Sequence, residues 1–275
     1  MTRQSDAAIT PGPAHHIDSS LTGAEHDRPW ETGEPERHLF LCTTPRSGSH
    51  RLGRALFTLG IGCPAEYFHP SVVSDLAQRW QVPHAFASHD ALRAYWQRVC
   101  ALRRQQGTVA ASLFAYQIRH LAALGLPADR SIHIHLRRRK LGQQVASLIT
   151  LYRTKRPFDG EEEVSFIPDL NEISPRAIRI LGQWIKMQNR RWEAFLADKP
   201  HVTVISEDFF ARPDVIVPQV LDACGLAASP AAIDALLADL RASGSYNLDS
   251  DEKRRLLAEF AADFAALDRE GQRGV

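Results

Sequence analysis

The chain has 275 residues, 44% hydrophobic and 24% charged, enough apolar material for one large core or two modest ones. Its 33 Lys and Arg against 32 Asp and Glu leave a formal charge of +1, which excludes a broad polyanion-binding surface and points to no nucleic-acid or membrane partner, while leaving room for one basic pocket. No apolar run approaches the ~20 residues of a bilayer span, the opening segment lacks the apolar core of a secretion signal, and Cys42, Cys63, Cys100 and Cys224 are scattered without a CxxC pair, so a cytoplasmic protein with reduced, buried thiols is expected.

Residues 1–36 mix Pro11, Pro13, Pro29 and Pro35 with polar side chains and have no apolar period, which predicts a disordered or loosely docked tail ahead of a single domain over 37–275. The first structured signal is the apolar run 38–43, a strand, broken by Thr44-Pro45-Arg46-Ser47-Gly48-Ser49 and followed by Leu52, Ala55, Leu56 and Leu59 at helical spacing. Helical patterns near 71–80 and 90–105 lead to a strand over 108–114, and a second strand-to-helix unit starts at 131–136, with Leu141, Val145, Leu148 and Leu151 on one helix face. The stretch 154–170, with Glu161-Glu162-Glu163, is long and irregular and reads as a solvated acidic loop or a substrate-facing lid. Ser174-Pro175 starts another helix, 201–206 reads as a strand, 215–223 as a helix closed by Gly225, and Ser229-Pro230 opens a helical C-terminus broken at Ser243-Gly244-Ser245. Trp80, Trp96, Trp184 and Trp192 lie in helical patterns and read as core. Strands alternating with helices predict an α/β fold with a mostly parallel sheet covered on both faces.

Two segments carry chemistry. A strand that ends in Thr-Thr-Pro-Arg-Ser-Gly-Ser and turns into a helix aims backbone N–H groups and a helix dipole at one spot, with the hydroxyls of Ser47 and Ser49 beside them, which makes an anion site of phosphate size. The GxxxxGK[ST] pattern of ATP and GTP hydrolases is absent, Arg46 supplies the positive charge in place of lysine, and no acidic residue stands out to hold Mg²⁺, so metal-free chemistry is expected. The second segment, Arg137-Arg138-Arg139-Lys140, opens the helix that carries Ser147. Four cations at a helix N-terminus repel its dipole, an arrangement that is costly unless an anion sits there. Two anion sites at the ends of two strands suggest a ligand with phosphates at both ends, such as a nucleotide with a 5′ anhydride and a 3′ phosphate.

Leu41-Cys42-Thr43-Thr44-Pro45-Arg46-Ser47-Gly48-Ser49, then Gly62-Cys63-Pro64-Ala65-Glu66-Tyr67-Phe68, then Leu136-Arg137-Arg138-Arg139 with Gln144-Val145-Ala146-Ser147, occur in an order and spacing that resembles the bacterial sulfotransferases of the trehalose 2-sulfotransferase family over roughly residues 38–250. The resemblance implies a P-loop-like three-layer fold, a homodimer, and transfer of a sulfuryl group from 3′-phosphoadenosine 5′-phosphosulfate (PAPS) to a hydroxyl of a small carbohydrate acceptor. It implies that Pro45, Arg46, Ser47, Gly48, Ser49 and His50 hold the 5′-phosphosulfate. Arg138 or Arg139, with Arg137 as the alternative, would hold the 3′-phosphate together with Ser147. Glu66 matches the family's general base, with His69 and His50 as rivals, and Tyr67 and Phe68 are candidate sugar contacts. Three positions depart from the family pattern: His50 where a Thr or Asn is common, Ser112 where a lysine is frequent, and Lys140 where an Asp is usual. Competing readings are an ATP-using phosphotransferase and a nucleotide-binding protein without turnover.

Overall fold

A computed structural model describes residues 21–28, 33–155, 170, 172–242 and 251–272. Four strands, β1 (Arg37–Thr43), β2 (Thr108–Phe114), β3 (Ser131–Arg137) and β4 (His201–Ile205), form one parallel sheet in the order β2-β1-β3-β4. The helices are α1 (Ser49–Thr58), α2 (Pro70–Trp80), α3 (His89–Arg103), α4 (Ile118–Leu124), α5 (Leu141–Lys155), α6 (Pro175–Leu196), α7 (Ser206–Ala211), α8 (Pro213–Ala223), α9 (Pro230–Ala242), α10 (Asp251–Glu259) and α11 (Ala261–Gln272). The expected α/β architecture, a parallel sheet between helical layers, is the one observed.

The two faces of the sheet follow from the two-residue period of the strands. On β1, Phe40 and Cys42 enter a core built with α2, α3, α4 and the end of α6, whereas Leu39 and Leu41 enter a second core with α1, α8 and α9. A third cluster lies between α5, α6, α10 and α11 and includes Leu170 ahead of α6. All four cysteines are free and buried. Among the described residues no helix is long and apolar enough to cross a membrane.

Part of the segment whose composition suggested a tail is held against the first core. Leu21 is buried there, and the fully buried Arg103 guanidinium donates to the carbonyls of Leu21, Thr22 and Gly23 and pairs with Asp27 at 2.7 Å. Arg79 and the Trp80 indole N–H also reach Asp27. Polar composition hid this because the docking is done by carbonyls and one carboxylate around a buried cation, which leaves no apolar period to read. Residues 1–20 and 29–32 of the expected tail, residues 156–169 of the candidate loop or lid over 154–170, and the expected break at 243–245 lie outside the described residues, while 154–155 continue α5. The short helices α4 and α7 are the elements the sequence pattern did not signal.

Candidate functional site

Chain order 2-1-3-4 sends the connections after β1 and β3 to different helical layers, so a crevice opens where their C-terminal ends lie side by side. The loop after β1 fills one wall. Its backbone is set by two left-handed residues, Arg46 (φ 64°) and Gly48 (φ 97°). Gly48 is required twice over: a Cβ there would also meet the Phe210 ring at 2.8 Å and Ser206 Oγ at 3.0 Å. Arg46 holds a conformation that non-glycine residues rarely adopt, the kind of local strain found at ligand-binding turns.

The loop is clamped from beneath. Gln144 of α5, fully buried, donates through Nε2 to Thr44 Oγ1 at 2.9 Å and to Pro45 O at 2.7 Å, and the Trp192 indole N–H donates to Thr43 O at 2.8 Å. Helix α1 begins directly at Gly48 with no side-chain cap, which leaves its first N–H groups without intrahelical partners at the mouth of the loop. Ser47 Oγ, Ser206 Oγ and Gln144 Oε1 are buried and have no hydrogen-bond partner among the described residues.

Two guanidinium groups converge here. Arg46 Nε donates to Ser147 Oγ at 3.0 Å, and Arg138 Nη1 donates to Arg46 O at 3.2 Å. Burial lowers the pKa of Arg46, the Arg138 charge lowers it further, and Glu66 offsets part of this. Burial likewise lowers that of Arg138, against the raising influence of Glu207 and Asp268. Two desolvated like charges beside uncapped amides and partnerless hydroxyls form a cradle for an anion, and the residues present fit a phosphate or sulfate ester.

Arg137 and Arg139 are paired internally and Arg138 Nε lies 3.6 Å from Glu207 Oε1, which corrects the expectation that the cluster's four cations require an external anion. Arg137 pairs with Glu193 at 3.1 Å, and Arg139 makes a two-point contact with Asp208 at 3.3 and 2.8 Å. Glu207 accepts from the backbone N–H groups of Arg139 and Lys140, both at 2.9 Å. Asp268 of α11 accepts from Gly142 N at 2.6 Å and from Gln143 N, so the N-terminus of α5 already carries a carboxylate. The sequence could not reveal this, since the compensating acids lie about 55 to 130 positions downstream in elements with no motif. Of the candidates at 137–139, Arg138 is the one beside the anion loop; its side chain is 10% exposed against 37% for Arg139.

Glu66 sits on the opposite lip. The parallel bridge between Ala65 and Ala111 and the Ser112 N–H donating to Ala65 O at 2.8 Å splice its loop onto the edge of β2. His50, in the first turn of α1, brings Nε2 to 3.1 Å from Glu66 Oε1, with side chains 48% and 22% exposed respectively. His69 instead meets Ser71 Oγ at 2.8 Å. Tyr67 and Phe68 turn into the first core: Tyr67 OH donates to Cys63 O and Phe68 stacks near Trp96, so neither side chain offers surface to a sugar. Their role is to fix the Glu66 loop, helped by Tyr95 OH donating to Tyr67 O and Gln117 Nε2 to Phe68 O. Among the described residues no group of three or more His, Cys, Asp or Glu could hold a metal ion.

No protein-family model and no curated protein matches the sequence. Among solved structures, the chain is similar to sulfotransferase STF1 from Mycobacterium tuberculosis H37Rv, with a TM-score of 0.50 and 14% identity over 88% of this chain and 77% of that one. It also aligns with the sulfotransferase domain of the Synechococcus PCC 7002 olefin synthase (TM-score 0.42, 16% identity, 88% of this chain and 98% of that one). A third match is mouse sulfotransferase SULT7A1 complexed with PAP (TM-score 0.48, 13% identity, 84% and 72%). At these identities the likeness to STF1 is one of fold.

Proposed function

We propose that the protein is a PAPS-dependent sulfotransferase of the kind its motifs resemble, moving a sulfuryl group to a hydroxyl of a small carbohydrate without a metal, in the cytoplasm and as a homodimer. The observation that carries this reading is the pair of buried cations, Arg46 and Arg138, brought together where α1 starts uncapped and the Ser47 hydroxyl lies buried without a partner. A nucleotide bearing a phosphosulfate and a second phosphate would meet both charges and the amides at once.

In this reading the acceptor oxygen forms a bond to sulfur as the bond between sulfur and the 5′-phosphate oxygen breaks, with negative charge growing on that leaving oxygen. Arg46 and the α1 amides would stabilise that charge in place, with no reorganisation at the moment of reaction. Glu66 would take the acceptor's proton on Oε2, since His50 engages Oε1. Adenosine 3′,5′-bisphosphate leaves.

Incubation with ³⁵S-labelled PAPS and a panel of mono- and disaccharides, without divalent metal, tests the reading. Label should enter a carbohydrate with wild type and fall by about 10²-fold or more with Arg46→Ala. A wild-type protein that hydrolyses or transfers from ATP with Mg²⁺, and ignores PAPS, would overturn it.

A further inference from the structure

The helix that opens behind the anion loop is already closed by the chain's own C-terminal helix. Asp268 Oδ1 accepts from Gly142 N at 2.6 Å and the same carboxylate engages Gln143 N, at the end of α5 where a bound phosphate would otherwise be drawn. Helix α11 can come this close because three positions lack side chains. A Cβ on Gly142 would lie 2.3 Å from Phe264 O, one on Gly271 2.5 Å from Arg139 O, and one on Gly182 2.6 Å from Leu267 Cδ2. At Gly142 and Gly271 the approach is therefore backbone to backbone beside the turn that carries Arg138, which leaves α11 little room to shift there.

From the other side, Glu207 takes the N–H groups of Arg139 and Lys140. The turn 138–142 is thus held between two carboxylates, one on α7 and one on α11. Its amides are spent internally, and its inward-facing guanidinium, Arg138, runs under the loop to Arg46 O with Nε 3.6 Å from Glu207 Oε1. We propose that Asp268 is a positioning residue for the donor's 3′-phosphate: by taking the α5 N-terminus it denies the phosphate the helix amides and aims Arg138 as the contact instead. This rests on the donor reading given above.

Calorimetric titration with adenosine 3′,5′-bisphosphate and with adenosine 5′-monophosphate, without metal, tests it on wild type, Asp268→Asn, Arg138→Ala and the double variant. Asp268→Asn should bind the bisphosphate at least tenfold more weakly and leave 5′-monophosphate binding within about twofold. That split separates positioning from a general loss of fold. In the Arg138→Ala background the Asp268 substitution should have no further effect. Gly271→Ala, which presses on Arg139 O without altering the carboxylate, should give a smaller loss of the same kind and serves if Asp268→Asn does not fold. An unchanged or improved preference for the bisphosphate in Asp268→Asn, or equal losses for both nucleotides, would overturn the inference. A wild type with no preference for the bisphosphate would instead overturn the donor reading itself.

Discussion

Glu66 and His50 show how a departure from a familiar motif becomes legible once the chain is folded. From sequence, His50 was a rival base or a donor contact; in the structure its ring meets the Glu66 carboxylate at 3.1 Å. An N–H donated to Oε1 would orient the carboxylate and leave the other oxygen for the acceptor of the proposed reaction. Glu66→Gln should lower turnover by on the order of 10²- to 10⁴-fold while donor affinity, read calorimetrically, stays as in wild type. His50→Gln, which can still donate an amide N–H, should retain most turnover, whereas His50→Ala should lose roughly tenfold, the usual scale of one charge-assisted hydrogen bond of about 1.5 kcal/mol. Equal rates for the two His50 variants would refute the orienting role. The Glu66 loop was readable because Pro-Ala-Glu-Tyr-Phe is a recognisable string. The inward turn of Tyr67 and Phe68 was not, because aromatic residues in a loop give no period that separates core from cleft.

Strands β1, β2 and β3 were legible almost to the residue, since short apolar runs bounded by turn residues leave little choice of boundary. What the pattern concealed is that β1 and β3 bury histidines in the sheet. Burial lowers His38 to about 4, with Arg130 adding to it, and lowers His135 to about 3, with Arg137 and His201 adding and Asn189 opposing. Folded, these rings stay neutral down to pH 4 or below, whereas unfolded they protonate near 6.5. The unfolded chain therefore binds more protons between about pH 6.5 and 4, and stability is lost as pH falls through that window. The loss by pH 5 should be on the order of a few kcal/mol, seen as a drop of about 5 °C or more in the unfolding midpoint relative to pH 7. A midpoint that does not fall over that range, or a fall unaffected by His38→Gln with His135→Gln, would contradict this. The segment 21–28 makes a second case at this scale. Asp27→Ala should destabilise the protein by about 3 kcal/mol in denaturant unfolding, because Arg103 is wholly buried and would lose the carboxylate it pairs with at 2.7 Å. A change below about 1 kcal/mol would show the three carbonyls to be sufficient.

At the scale of the molecule, local strings carry the anion loop and long-range compensation carries the rest. Thr44 to Ser49 announces itself because a tight turn between strand and helix needs residues of that kind in consecutive order. The basic run at 137–140 announces a charge problem but not its solution, which comes from Glu193, Glu207, Asp208 and Asp268 on three later helices. Only the folded chain shows that these acids pair Arg137 and Arg139 away from the loop and leave Arg138, itself 3.6 Å from Glu207, beside Arg46. In the proposed reading this pair of guanidinium groups binds a nucleotide carrying two separate anionic ends. Calorimetry with adenosine 3′,5′-bisphosphate and with ADP, both without Mg²⁺, on wild type and on Arg46→Ala with Arg138→Ala tests it directly. Wild type should bind the bisphosphate with micromolar affinity and ADP at least tenfold more weakly, with that preference lost in the double variant; equal affinity for the two nucleotides in the wild type would contradict the two-anion site.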